Sequence, residues 1–128
     1  MASIVLIVDT APIVAAADAA DPAHRRCLQL LESHPGPLVT TPLVVAEAGW
    51  LIRRQLDTRA EVLLYQTIAE GQLGVEALTT GDWARIAELV DTYTNIGLDA
   101  ADASIIAIAE RLDQTVIATL DERDFRIV

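Results

Sequence analysis

Ile4 to Val8 is an unbroken aliphatic run that ends at Asp9, and Pro12 follows three residues later. A short apolar run bounded by polar residues predicts a buried strand. A helix is predicted from about Pro12 to Ala19, because proline is tolerated in a first helical turn. DPAHRRCLQLLESH predicts a second helix, capped by Asp21, with Cys27, Leu28, Leu30 and Leu31 turned inward. LVTT at 38–41 predicts a second strand, and Thr41 is a cap for the helix PLVVAEAGWLIRRQL. Thr58 and Glu61 have capping-box spacing at the start of TRAEVLLYQTIAEG, which Gly71 closes.

GVEAL at 74–78 predicts strand three. In GDWARIAELVDTY, Trp83, Ile86, Leu89, Val90 and Tyr93 are spaced for one helical face. LDAADASIIAIAERL reads as the most buried helix, TVIAT at 115–119 as strand four and FRIV as a short fifth. Strands alternating with helices imply an α/β fold, a parallel sheet flanked by helices. No linker, repeat or low-complexity run divides the 128 residues, so one domain over 1–128 is expected.

Composition narrows the class. Hydrophobic residues make up 52% of the chain with few aromatics, so the core must be aliphatic. No apolar run is long enough to span a bilayer. No basic region precedes Ile4 and Asp9 interrupts the first apolar run, so a secretory signal is not expected. The lone Cys27 excludes an intramolecular disulfide, and the expected location is the cytoplasm. Net charge is −10, and all nine bases are arginine. Such acidity argues against a broad basic nucleic-acid surface and suits cation binding or a basic partner.

Four acids occupy segments that otherwise look buried. Asp9 ends strand one, Glu47 lies within LVVAEAGWL, Asp102 within LDAADASIIAIA, and Asp121 follows strand four. In open parallel sheets ligands gather at the carboxyl ends of the strands. Carboxylates brought together there repel and take up protons unless a cation neutralises them. An all-oxygen cluster selects Mg²⁺ or Mn²⁺ over Zn²⁺, and the chemistry implied is metal-assisted phosphodiester hydrolysis. Each acid also has a plainer role open to it. Asp9 caps a helix, Asp99 caps the helix carrying Asp102, and Asp121 and Asp124 serve as turn residues.

Together these residues resemble a PIN domain of the VapC type, the toxin of bacterial toxin–antitoxin pairs. The resemblance rests on IVDT, TPLVVAE, DASIIAIAERL and VIATLDERDF, in that order over nearly the whole chain. It implies a three-layer α/β/α fold with a mostly parallel sheet of four to five strands. It also implies a cytoplasmic Mg²⁺- or Mn²⁺-dependent endoribonuclease acting on an RNA substrate. Matched by motif position, the catalytic and metal-binding acids are Asp9, Glu47, Asp102 and Asp121. Thr10, which could hold Asp9 or a metal-bound water, is an accessory candidate with Asp99 and Asp124. A homodimer and a cognate antitoxin are the implied partners, with no membrane. Arg25, Arg26, Arg53, Arg54 and Arg111 are candidates for a basic rim, which the sequence does not place on one face. Two alternatives stay open: a catalytically silent PIN-like binding module, and a PIN nuclease of RNA processing that is no toxin.

Overall fold

The computed structural model describes residues 4–113 and 116–120. Its centre is β1 (Leu6–Val8), whose three residues are all buried. On one side β1 pairs in parallel with β2 (Leu38–Thr40), and on the other with β4 (Ile117–Ala118). β3 (Gly74–Val75) adds to β2, giving four parallel strands in the order β3-β2-β1-β4. A central parallel strand is covered on both faces, which is why Leu6 to Val8 reads as continuous apolar sequence; Ile4, expected to begin the buried strand, lies before it and is exposed. Helices complete a three-layer α/β/α arrangement.

The helices are α1 (Thr10–Ala17), α2 (His24–Ser33), α3 (Pro42–Gln55), α4 (Thr58–Ala69), α5 (Thr80–Thr92) and α6 (Ala100–Arg111). α6 is apolar nearly all round because it belongs to two cores. Ala101, Ile105 and Ile108 join Ile7, Val8, Val44, Ala48 and Ile52 in one. Ala103, Ile106 and Ala107 join Ile86, Leu89 and Leu98 in the other. Burying one such isoleucine stabilises the fold by roughly 1.5–3 kcal/mol.

Local chemistry shifts several boundaries. α1 begins at Thr10 rather than near Pro12, because Asp9 is its N-cap. Asp21 does not cap α2; its carboxylate accepts from the Ala23 N–H in a turn before the helix. Leu30, expected inward, is largely exposed. α4 is capped by Asp57 rather than Thr58, through the Ala60 N–H at 2.8 Å. That leaves Glu61 to bind Arg53 and Tyr65 instead of closing a capping box. Trp83 turns out to solvent, while Ile86 and Leu89 of the same helix are buried. The expected fifth strand, FRIV, lies outside the described residues.

Candidate active site

All four strands run the same way, so Asp9 after β1, Thr41 after β2 and Thr119 after β4 share the carboxyl edge of the sheet. Asp9 is only 5% exposed, and its desolvation is compensated locally. One carboxylate oxygen accepts from the Thr10 backbone N–H at 2.8 Å, and the other accepts from the Thr119 hydroxyl at 3.1 Å. The N-terminus of α1 adds the favourable end of a helix dipole. The hydrogen bond from Thr10 to Asp9 is therefore made by its backbone. The Thr10 hydroxyl itself is buried and makes no hydrogen bond among the described residues.

Asp99 and Asp102 form a reciprocal cap at the start of α6. Asp99 accepts from the Asp102 N–H at 2.9 Å, and Asp102 accepts from the Asp99 N–H at 3.4 Å. The capping role foreseen for Asp99 is thus present, and it sets Asp99 beside Asp102 at the same edge as Asp9. Burial, then the negative charges of Asp99 and Asp9, push the Asp102 carboxyl up to about 7. Glu47, in the second turn of α3, is raised by the same three causes in the same order. Two acids on different helices each sense both Asp99 and Asp9. Asp9, Glu47, Asp99 and Asp102 therefore share one electrostatic neighbourhood. Asp121 and Asp124 lie outside the described residues.

Among the described residues, no three carboxylates, imidazoles or thiols are drawn together closely enough to ligate one ion directly. The donor chemistry nevertheless fits a hydrated hard dication. Its donors are all oxygen, its acids repel, and the buried Thr10 hydroxyl has hydrogen-bonding capacity to spare. Mg²⁺ binds in this way, through one or two carboxylates with several waters retained.

Of the five arginines considered for a basic rim, three are engaged elsewhere. Arg53 pairs with Glu61 at 2.7 Å, and Arg111 bridges Asp82 and Glu76 at the foot of α5. Arg54 lies over the Trp50 ring at 5.1 Å on the exposed side of α3. Arg25 and Arg26 are exposed on α2. An apolar concavity lined by Ala16, Leu28, Leu31, Leu63 and Leu64 lies between α1, α2 and α4; Asp9, Glu47 and Asp102 do not line it. No helix among the described residues is long and apolar enough to cross a membrane.

The family model of the PIN domain matches residues 6–128. The chain is 30% identical over 120 residues to Ribonuclease VapC26 of Mycobacterium tuberculosis, covering 94% of this chain and 89% of that protein. Its fold is similar to the crystal structure of VapC20 from Mycobacterium tuberculosis, a sarcin-ricin loop cleaving toxin. That likeness has a TM-score of 0.88 and 21% identity, over 95% of this chain and 94% of the other. It is also similar to FitAcB from Neisseria gonorrhoeae, with a TM-score of 0.65, 20% identity, and coverage of 94% and 91%.

Proposed function

The chain belongs to the PIN domain family, and from that premise we propose that it is a metal-dependent endoribonuclease, the toxin of a toxin–antitoxin pair, acting as one cytoplasmic domain. The observation that carries this reading is the gathering of Asp9, Glu47, Asp99 and Asp102 at the carboxyl edge of the sheet, with Asp102 pushed up to about 7.

Asp9, Glu47 and Asp102 are the proposed metal-holding acids, with Asp121 as the fourth. When bound, Mg²⁺ or Mn²⁺ polarises a phosphoryl oxygen and lowers the pKa of a bound water. The protein's own part is positioning. The Thr10 N–H and the Thr119 hydroxyl fix the Asp9 carboxylate from two sides, so its oxygens cannot swing away. The spare Thr10 hydroxyl is placed to orient a water beside Asp9. Without a cation Asp102 passes between neutral and ionised forms close to neutrality, so a bound cation would take the place of its proton. Asp99 keeps it in that range.

The partners follow from charge and exposed apolar surface. Leu56, Val62, Leu63 and Tyr65 on α3 and α4 are exposed, and a homodimer would cover them. An antitoxin is proposed to place an arginine against the acids, because a guanidinium is a planar fork suited to carboxylates. Raising Mn²⁺ should then weaken inhibition. The test of the main reading is cleavage of total cellular RNA by the purified chain, with the ends mapped. Cleavage that needs Mg²⁺ or Mn²⁺ and is lost in Asp9→Asn supports it; cleavage indifferent to either overturns it.

A further inference from the structure

A chain of buried hydroxyls joins the two helices that carry Glu47 and Asp102. The Thr41 hydroxyl accepts from the Val44 N–H at 3.1 Å, which caps α3. The same hydroxyl lies 2.7 Å from the Ser104 hydroxyl of α6. Ser104 in turn donates to the Ala101 carbonyl at 2.7 Å. Each hydroxyl has one proton, so the direction of the chain is determined. Ser104 spends its proton on Ala101, and Thr41 must therefore donate to Ser104. Thr41 and Ser104 are both 0% exposed, so no bulk water substitutes for either bond.

The strain that this bridge opposes is electrostatic. Glu47 on α3 and Asp99 and Asp102 at the start of α6 carry like charge, and Asp99 raises both of the others. Repulsion pushes the two helix ends apart when these acids are ionised and no cation is present. Aliphatic contacts resist this without direction, whereas a hydrogen bond at 2.7 Å between buried hydroxyls holds one spacing. A cation that meets acids already spaced does not have to draw two helices together.

We propose that Thr41 and Ser104 are positioning residues, whose buried hydroxyl bridge sets the spacing of Glu47 and Asp102 for a divalent cation. The proposal rests on the reading of those acids as a metal site. Ser104→Ala removes the acceptor for Thr41 and leaves the Thr41–Val44 cap intact. Thr41→Ser keeps both links. The measurement is Mn²⁺ binding to the full chain, read from the electron paramagnetic resonance of free Mn²⁺, with no RNA present. Ser104→Ala is expected to weaken Mn²⁺ binding about tenfold, the lower end for groups that support metal ligands. Thr41→Ser is expected to bind as the unaltered chain does. Should Ser104→Ala not fold, Ser104→Cys, with its weaker hydrogen-bonding group, must still show weakened binding. Unchanged affinity in a folded Ser104 variant, whatever its melting temperature, overturns the proposal and leaves the bridge as a packing feature. If the unaltered chain binds no Mn²⁺, the metal-site reading falls first and this proposal with it.

Discussion

Replacing Asp102 with asparagine is expected to stabilise the metal-free protein while abolishing cleavage. In the fold its carboxyl is raised from an ordinary 3.8 to about 7, by burial first and then by Asp99 and Asp9. Below 3.8 the group is protonated whether the chain is folded or not, and it costs nothing. As pH rises the unfolded chain ionises first, so the folded state loses stability progressively until about 7 and then levels off. Each pH unit of that gap is worth about 1.4 kcal/mol, which sets an unscreened upper bound of roughly 4 kcal/mol. Asp102 is partly exposed, and solvent screening brings the cost down to roughly 2 kcal/mol. At about 4 °C per kcal/mol for a chain of this size, Asp102→Asn should melt about 8 °C higher near pH 8 in EDTA. Near pH 4 the gain should all but vanish. Asparagine keeps an oxygen for the Asp99 N–H, so the reciprocal cap survives in part. Thermal unfolding followed by circular dichroism across that pH range, with and without Mn²⁺, reads all of this. A lower melting point for the variant near pH 8 would refute the reasoning and show that Asp102 acts mainly as a helix cap.

Two further outcomes are expected away from the acids. A methyl group at Gly49 would overlap the Tyr65 hydroxyl, which donates to Glu61 at 2.6 Å. Gly49→Ala should thus destabilise the α3–α4 pair by about 1–3 kcal/mol in urea unfolding, and an unchanged midpoint would contradict the packing described. Asp82 both closes the Thr79 capping box and binds Arg111. Burial raises its carboxyl, but the Arg111 and Thr79 hydrogen bonds outweigh this and hold it below the ordinary 3.8. Its stabilisation is therefore present above that value and lost as pH falls through the lowered one. Asp82→Ala should cost roughly 2–3 kcal/mol near neutral pH, and less under strongly acid conditions.

The shared neighbourhood of Asp9, Glu47 and Asp102 could be anticipated because an acid inside an aliphatic run contradicts its surroundings. The central strand was legible for a related reason, since β1 is buried on both faces and leaves no polar alternation. Caps were harder to place. Asp57 precedes Thr58, and either can cap in principle; the geometry chose the carboxylate. Trp83 has the right spacing for the inward face of α5, yet it lies at 51% exposure because α6 contacts the helix along Ile86 and Leu89. The long-range partners of the hydroxyls were not legible, although Thr41 was, as the cap of α3. Thr41 meets Ser104 across 63 residues of sequence, and Thr119 meets Asp9 across 110. Nothing local in the sequence marks such pairs, because serine and threonine in an apolar segment look alike whether or not they find a partner. Thr119, two residues before Asp121, carried one signal: it stands at the carboxyl end of a predicted strand.

The acids at the carboxyl edge of the sheet are proposed to hold a divalent cation for RNA hydrolysis. The most direct measurement is Mn²⁺ titration of the purified chain, paired with RNA cleavage at the same metal concentrations. Cleavage is expected to track Mn²⁺ occupancy, vanish with EDTA, return on readdition, and fail with loss of binding in Asp9→Asn. Cleavage that persists after chelation, or Mn²⁺ binding that is untouched in Asp9→Asn, would contradict it.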